Sequence, residues 1–499
     1  MATFGRRRIF ADYDEINESN IEKVIADAMP IHMKNATEIA YLRNYSRGKQ
    51  PILGREKKTR DDILNKVVVN IASEILDFKL SYIFGAPMDI VRPSGSDSTA
   101  DIGPFRAMMA EQSKDDNDQD IALDFCIGGV AYRGVLNNPN RDDNSPFCLV
   151  SMQPETTFCI YKNDVFKRKL LGVSYIVRTD GTIKYTAYTK THRYELDGEA
   201  LATAEGNFGS ATTPKLVDVS ANGIGEIPIV EYFMPEGMGV FEKGVSLMDA
   251  YNTATSNRID DIEQFVQSIL AVFGVDLDEE ALGKLKKSLC LIVPNIQEGT
   301  QPRAEYLVNS MDQNSVQSVV DDLYAHILEI CGTPGREQSS GGNTGSATEL
   351  GAGGWRKVQY SAERIIAAWK RGDRDMYRVA LAILKAAKKS PAELKNLKVT
   401  DLETKFTLSK NNDILSKTQG MLNNLQAGIH PRIAIRQSNQ FSDPEGVYEE
   451  SKPYIEKAME KMHAAAEKAV GAVDVTNQPK GGESLEGAVA GKGTVQKQD

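Results

Sequence analysis

The stretch YNTATSNRIDDIEQFVQSILAVF, residues 251–273, decides which architecture this chain can adopt. Its large apolar residues recur at alternating steps of three and four from Ile259 to Phe273, which places them on one face of an α-helix. The other face is acidic and polar, and it consists of Asp260, Asp261, Glu263, Gln264 and Gln267. We interpret that face as a solvated surface, because its carboxylates wrap around the helix and do not converge on a metal ion.

A second helix is predicted from QNSVQSVVDDLYAHILEIC, residues 313–331, which repeats the apolar spacing. Asp312 precedes it, and aspartate favours the N-cap position. Gly332-Thr333-Pro334-Gly335 follows it, and this combination stops helices. The sequence therefore predicts two helices joined by a compact excursion at residues 276–311. Three short elements are predicted in the excursion: an amphipathic helix, Glu279–Leu289, and two strands, Cys290–Val293 and Glu305–Val308.

A Gly/Ser-rich segment, residues 336–354, follows the second helix and precedes a long helical pattern over residues 355–389. Its centre consists of Ser339, Ser340, Gly341, Gly342, Asn343, Thr344, Gly345 and Ser346. A phosphate-binding loop would follow a buried strand and would be completed by Gly-Lys-Ser/Thr, and neither feature is present. We therefore predict a mobile loop.

The composition is that of an ordinary globular protein, with 41% hydrophobic and 26% charged residues among 499. A formal net charge of −10 argues against a protein that grips nucleic acid over most of its surface. The five cysteines are widely spaced and form no CxxC pair, so we expect reduced thiols. No apolar run in the sequence is long enough to predict a membrane span.

The first 240 residues divide into a helical part and a β-rich part. Apolar periodicity predicts helices over Ile21–Tyr45, Asp61–Phe84 and Gly103–Tyr132. A basic cluster at residues 43–60 is either a solvated loop or an electrostatic contact with an acidic partner or a phosphate backbone. Short strands are predicted over Phe147–Val150, Thr156–Tyr161, Leu170–Arg178, Ile183–Tyr188, His192–Leu196, Leu216–Val219 and Ile227–Phe233. Because they do not alternate with helices, we predict an antiparallel meander within an α+β, mainly helical fold.

The rest of the chain offers little chemistry. Residues 466–499 contain few large apolar side chains, and this composition predicts a disordered tail. We find no Gly-x-Ser-x-Gly elbow, no histidine pair at ligand spacing and no calcium loop. The Arg371-Gly372-Asp373 triplet matches an adhesion tripeptide only by chance, since it lies within a predicted helix. The sequence therefore predicts a protein that has no catalytic residues, is not an enzyme and uses no metal or cofactor.

Several short segments occur in a fixed order over about 450 residues. They are Tyr45–Leu53, Asn65–Asn70, Tyr82–Pro87, Ile227–Glu231, Phe241–Lys243, Leu247–Asn252, Gly341–Ala347 and Ser442–Glu445. Each is weak alone, but their order and spacing make the combination specific. Through them the chain resembles the portal proteins of tailed bacteriophages, specifically the group typified by the portal of the Bacillus phage SPP1.

Portal proteins of this group form a ring, usually of twelve subunits, at one capsid vertex, and a separate terminase motor pumps DNA through the ring. The resemblance implies a wing at 1–240, stem helix 1 at 241–275, a clip at 276–311, stem helix 2 at 312–335, a tunnel loop at 336–354, a long wing helix at 355–389, a crown at 390–465 and a tail at 466–499. The implied partners are further copies of the chain, the terminase large subunit, major capsid and scaffolding proteins, head-completion adaptor proteins and non-specifically passing double-stranded DNA. The implied location is the virion, and the host cytoplasm during assembly.

Under this resemblance, the acidic face of the first helix is the candidate lining of the channel, and the Gly/Ser loop projects into it. A wall without attractive Lys or Arg contacts suits sliding DNA, because such contacts bind phosphate. The function predicted is DNA packaging, genome retention and ejection through a ring without catalytic activity. Two alternatives are a different head–tail adaptor protein of the capsid and an NTP-dependent enzyme that uses the Gly-rich loop.

Overall fold

The computed structural model describes residues 5–457 apart from residues 59–61, 94–100, 140–144, 203–207, 212–213, 267–268, 274–289, 294–302, 308–312, 336–344, 388–391, 409–413, 439, 442–443 and 445. The chain forms two compact units, Met1–Asp413 and Ile414–Asp499. The predicted crown, residues 390–465, crosses the boundary between them, because Leu394, Leu397 and Leu402 are buried in the core of the first unit.

Helices account for much of the first unit and for what is described of the second. They are α1 (Ile21–Ser46), α2 (Ile71–Phe84), α3 (Gly103–Glu111), α4 (Lys114–Gly128), α5 (Val245–Val266), α6 (Gln313–Ile330), α7 (Gly345–Ala386), α8 (Ala392–Lys395), α9 (Ile414–Gln426) and α10 (Pro431–Ser438). Residues 446–457 are also helical.

Two of the predicted helices are wrong in part. Helix α2 begins at Ile71, not at Asp61, and the Asn70 side chain caps it by accepting a hydrogen bond from the Ser73 N–H. The predicted helix over 103–132 is divided into α3 and α4 and ends at Gly129, whose φ of +72° suits glycine. The chain continues from there as a strand.

The strands are β1 (Ile9–Ala11), β2 (Asp89–Val91), β3 (Val130–Asn137), β4 (Phe147–Met152), β5 (Thr157–Lys162), β6 (Lys169–Val177), β7 (Thr182–Tyr188), β8 (His192–Ala202), β9 (Phe208–Ala211), β10 (Lys215–Ala221), β11 (Ile229–Phe233), β12 (Ile269–Phe273), β13 (Cys290–Val293), β14 (Arg303–Leu307) and β15 (Glu403–Lys405). The largest sheet has the order β1-β5-β6-β7-β8-β10, with β9 beside β8. The other sheets have the orders β11-β3-β4, β13-β12-β14 and β15-β2. The predicted meander is confirmed for β5 to β8, which pair antiparallel in chain order, and the α+β class is confirmed with it.

Helix α1 covers the large sheet and forms a core with it that contains a buried histidine. The His32 ring stacks on Phe158 with centroids 4.4 Å apart. Its Nε2 lies 3.1 Å from both the Glu155 carbonyl oxygen and the Tyr175 hydroxyl. Burial lowers the pKa of His32 to about 3, so the ring is neutral at physiological pH.

Acid should therefore destabilise the first unit through His32. Its folded pKa of about 3 lies below the ordinary 6.5, so the unfolded chain binds more protons between those values and stability is lost as the pH falls below 6.5. From this group alone, we expect the free energy of unfolding at pH 5.5 to be about 1.4 kcal/mol lower than at pH 8. Chemical denaturation at the two pH values measures the loss, which His32→Gln should remove and His192→Gln, at an exposed histidine, should keep. Equal losses in wild type and His32→Gln would contradict the assignment.

The main core is built around α7, which crosses the sheet β11-β3-β4. The Asp373 carboxylate is 1% exposed and accepts hydrogen bonds from three side chains, the Tyr232 hydroxyl (2.8 Å), the Trp369 indole N–H (3.0 Å) and the Thr404 hydroxyl (2.6 Å). Burial raises the pKa of Asp373, against the lowering effect of nearby cations. Gly372 is required beside it, because a Cβ at this position would overlap the Tyr232 ring. Gly372 and Asp373 of the Arg-Gly-Asp triplet therefore belong to the core, whereas Arg371 is exposed.

The cations near Asp373 belong to a buried ionic cluster. Arg133 of β3 is fully buried and pairs with Asp118 of α4, and its Nη1 lies 3.8 Å from Asp373. Lys114 pairs with Asp118 on the other side. Two carboxylates and two cations thus offset one another's charge where α4, β3 and α7 meet.

Candidate functional site

Helices α5 and α6 pack against each other as an antiparallel pair. Three contacts define their register: Tyr251 with Tyr324, whose ring centroids are 6.3 Å apart, Arg258 with Gln317, which share a hydrogen bond, and Gly244 with Cys331, where a Cβ on the glycine would lie 3.1 Å from Sγ. Each step along either helix is seven residues. This repeat is typical of helices that cross at a small angle.

The first of the paired helices ends earlier than predicted. Helix α5 stops at Val266, and Ile269–Phe273 is strand β12, so the prediction of a helix to Phe273 is wrong. A short apolar run fits a helix or a strand equally well by periodicity. Strand pairing favours the strand here, because β12 pairs parallel with β13 and antiparallel with β14.

The excursion between the paired helices therefore contains a three-stranded sheet. The predicted strand Cys290–Val293 is confirmed as β13, and the one predicted at Glu305–Val308 occurs at Arg303–Leu307 as β14. The predicted short helix, Glu279–Leu289, lies outside the described residues.

The buried face of α5 is polar from Asn252 onward, after the buried Val245 and Met248. Asn252, Ser256 and Asp260 recur every four residues, and all three are buried. Their oxygens accept N–H groups of the extended residues 62–70: Asn252 from Val69 (2.9 Å), Ser256 from Val67 (3.0 Å) and Asp260 from Asn65 (2.7 Å). Alternate N–H groups of an extended chain recur every ~6.6 Å and four helical residues rise ~6 Å, so the two periods nearly match. This polar ladder supplies hydrogen-bond acceptors to a segment that is in neither a helix nor a sheet.

Asp260 is also held by two cations. Its side chain is 4% exposed and lies 3.0 Å from Arg55 Nη1 and 2.5 Å from Lys57 Nζ. Burial acts to raise the pKa of Asp260, but hydrogen bonds from Lys57 and Asn65 outweigh it and lower that pKa. The prediction that Asp260 lies on a solvated face is therefore wrong.

The same contacts explain part of the basic cluster at residues 43–60. Arg43 is paired with Asp124 (2.9 Å) and Glu155 (2.8 Å), and Arg55 and Lys57 neutralise Asp260. For these three cations the interpretation as a solvated loop is wrong, because they join parts of the same chain.

The remaining candidate lining residues are less buried than Asp260. Glu263 is partly buried and accepts a hydrogen bond from the Asn65 side chain (2.9 Å). Asp261 is half-buried and Gln264 is exposed. Gln267 lies outside the described residues. Side chains at 261, 263 and 264 thus stay accessible from solvent.

The apolar residues of α5 and α6 are partly turned outward. Ile262 is 50% exposed and Ile259 is 37% exposed, although both belong to the predicted core face of the helix. On α6, Val319 and Ile330 are 56% and 49% exposed. The described part of the chain covers these aliphatic side chains only in part.

The turn that leads into α5 holds the N-terminal segment. Glu242 is buried and accepts hydrogen bonds from the Arg6 guanidinium (2.8 Å), the Gly5 N–H (3.1 Å) and the Gly239 N–H (2.9 Å). Glu38 of α1 lies 3.2 Å from the same guanidinium. Burial lowers the pKa of Arg6, and the two carboxylates counteract it. The group ties the N-terminus, α1 and the base of α5 together.

A buried lysine lies at the same end of the pair, beside the last residues of α6. Lys79 of α2 is 1% exposed, and its Nζ donates to the Gly332 carbonyl (2.6 Å) and the Ser361 hydroxyl (3.3 Å). Burial lowers the pKa of Lys79 to about 8. A cation here stabilises the carbonyl end of α6, and it links α2, α6 and α7.

The predicted Gly/Ser loop is shorter than expected. Ser339–Thr344 lies outside the described residues, whereas Gly345 and Ser346 form the first turn of α7. The prediction of a loop up to residue 354 is wrong for residues 345–354, which are helical. Gly351, Gly353 and Gly354 have low helix propensity, but a helix is extended more easily than it is started.

Neither a metal centre nor a membrane span occurs in the described residues. No three His, Cys, Asp or Glu side chains of that part of the chain come together as metal ligands would. Its helices are all too short or too polar to cross a bilayer.

Comparison with known proteins identifies the family. No curated protein sequence matches the chain. Residues 28–471 match the family model described as phage portal protein, SPP1 Gp6-like. The match includes α5, α6, the sheet between them and α7, and it covers far more than half of the chain. The chain therefore belongs to the family of SPP1-type phage portal proteins.

Proposed function

We propose that this chain is the portal subunit of a phage capsid. Copies of it would form a ring at one vertex, of twelve subunits as is usual in this family, through which terminase packages the genome and which later retains and releases it. The family assignment supports the role. The family is structural, and we propose that the chain has no catalytic activity of its own.

We assign a separate role in the portal to each region of the chain. We propose that α5 and α6 form the stem and that the sheet β13-β12-β14 belongs to the clip, which meets terminase during packaging and adaptor proteins afterwards. Residues 1–240 and α7 would form the wing beside the coat and scaffolding proteins, and residues 390–465 the crown. The tunnel loop, predicted at 336–354, would keep Ser339–Thr344 and end where α7 begins at Gly345. With Asp260 engaged inside the chain, the candidates left for the channel wall are Asp261, Glu263, Gln264 and Gln267.

One observation supports assembly into a ring. Helices α5 and α6 expose aliphatic side chains. Ile259 and Ile262 sit on a helix whose polar face is buried against residues 62–70, which inverts the usual arrangement in a monomer. Exposed apolar residues on adjoining helices mark a surface that a partner covers. In a ring, the exposed face of this helix pair would pack against a different surface of the neighbouring copy, because ring contacts are head-to-tail.

The alternatives receive less support. A nucleotide-binding loop follows a buried strand, whereas the segment at 336–344 lies between helices α6 and α7. A different head–tail adaptor would share exposed helices, but the family match extends over residues 28–471.

Electron microscopy of the purified protein tests the proposal. We expect rings with an axial hole, and we expect Ile262→Glu to abolish them, because a charge buried in an apolar contact costs several kcal/mol and the cost recurs at every subunit boundary. Light scattering should then give a mass near that of one chain. Tryptophan fluorescence confirms that the variant is folded.

The matched control is Val217→Glu, which places the same charge at a residue of β10 that is 62% exposed. It should form rings as the wild type does. A wild-type protein that stays monomeric at high concentration, or an Ile262→Glu variant that forms normal rings, would contradict the proposed interface.

A further inference from the structure

The long helix α7 carries a row of cations on its exposed side. Arg364, Arg371, Arg374 and Arg378 follow at steps of seven, three and four residues, so they share one face of the helix. Lys357 extends the row by seven residues towards the start of α7. All five are exposed, and at 1.5 Å per residue the row is about 32 Å long. We refer to these five residues as the basic row.

Only part of this charge is uncompensated, because Arg364 also has an electrostatic interaction with Glu236. Lys357 pairs with Glu329 (2.8 Å) and Arg378 pairs with Asp375. In the part of the chain that the structure describes, no carboxylate oxygen lies within 4.0 Å of Arg364, Arg371 or Arg374. Residues 355–386 contain eight basic and three acidic side chains, in a chain whose net charge is −10. Positive charge is therefore concentrated on α7.

A basic recess lies at each end of the row. At one end, a recess of about 230 Å³ is lined by Lys357 and Arg364 together with Lys79 and Lys243, and its acidic residue is Glu236, which pairs with Lys243 (3.0 Å). Lys79 there is the buried amine whose hydrogen-bond partners are a carbonyl and a hydroxyl. Four cations and one carboxylate thus surround this recess.

The recess at the other end has the same character. It has a volume of about 370 Å³, and Arg378 lines it together with Lys167, Lys169 and Lys190. Glu226 and Asp375 are its acidic residues. Cations therefore outnumber acids at both ends as well as along the row.

We propose that the basic row and its two recesses bind the phosphate backbone of double-stranded DNA without reading its sequence. Guanidinium groups match the paired oxygens of a phosphate, and the row is about as long as one turn of duplex, 34–36 Å. The choice of DNA as the occupant rests on the proposed function. Contacts of this kind hold DNA and slow its sliding, so the row serves retention of DNA and is separate from the channel wall proposed for α5.

Binding of a fluorescein-labelled duplex of about 30 base pairs to the full-length protein, followed by anisotropy over a salt series, tests this proposal. We expect Arg371→Gln/Arg374→Gln to weaken binding on the order of tenfold at low salt and to reduce the slope of log K against log salt by about 1.8, or 0.9 for each lost phosphate contact. The control is Arg178→Gln/Lys215→Gln, which removes two exposed cations from the large sheet and should leave the slope unchanged.

The outcomes separate this proposal from the portal assignment. Equal losses in the two double variants, or no binding by the wild type at low salt, would overturn the DNA site, and rings seen by electron microscopy would still support the portal role. If Arg371→Gln/Arg374→Gln changed the mass of the assembly but not the affinity for DNA, the row would contact a neighbouring copy, and the proposal would be wrong.

Discussion

Replacing Asp373 with alanine should lower the free energy of unfolding of the first unit by about 4 kcal/mol or more. The substitution leaves three buried donors without their acceptor, on Tyr232, Trp369 and Thr404. It also removes one of the two carboxylates that face the buried Arg133 guanidinium. Denaturation followed by tryptophan fluorescence measures the effect directly, because Trp369 is one of the two tryptophans of the chain and both lie on α7.

Asp375 offers a control two residues away. It pairs with Arg378 on the surface, and exposed pairs of this kind contribute about 0–1 kcal/mol. The free energy of unfolding of Asp375→Ala should therefore be close to that of the wild type. If Asp373→Ala and Asp375→Ala lost similar amounts of stability, the buried cluster would not have the role described here.

Replacing Glu242 with alanine should lower the free energy of unfolding by about 3–5 kcal/mol, which is the usual result of removing one partner of a buried ion pair. Arg6 would keep only Glu38, and the N–H groups of Gly5 and Gly239 would lose their acceptor. The N-terminal segment should then detach locally. We expect trypsin to cleave after Arg6 in Glu242→Ala under conditions in which the wild type resists, and denaturation to show the stability loss.

Two further variants define this effect. Glu236→Ala removes a carboxylate that is 58% exposed and pairs with Lys243 at 3.0 Å, so its expected effect is below about 1 kcal/mol. Glu242→Gln keeps an acceptor oxygen for the N–H groups but loses the charge. Its free energy of unfolding should therefore lie between those of the wild type and Glu242→Ala. Resistance of Glu242→Ala to trypsin would show that the N-terminus is held by other contacts.

The β-rich part of the fold was predictable because its signals are local. Alternating apolar residues and turns at Asp180-Gly181 specify β6 and β7, and these strands occur within a residue or two of the prediction. Strand β1 was missed, because three residues, Ile9–Ala11, carry too little periodicity and gain their structure by pairing with β5. The same holds for Ile269–Phe273, where strand partners distant in the chain override a helical pattern.

The candidate site was only partly predictable. The sequence periodicity separates the apolar face of α5 from its acidic, polar face. It does not indicate which of the two is buried against the rest of the chain. Asp260 is buried because it accepts the Asn65 N–H of the irregular segment 62–70, whereas the apolar periodicity of that segment predicts a helix. The basic row was also missed, since its cations are dispersed among core residues of α7, and only the exposed side of the folded helix groups them.

The polar ladder also determines how α5 can move. A slide of four residues, about 6 Å, would bring Ser256 opposite Val69, Asp260 opposite Val67 and Gln264 opposite Asn65, and each of these side chains again offers an acceptor oxygen. Slides of one to three residues rotate the acceptors away and leave the N–H groups unpaired. The spacing of the ladder is therefore compatible with a second position of α5 one helical turn away, and the ion pairs of Asp260 with Arg55 and Lys57 favour the one observed.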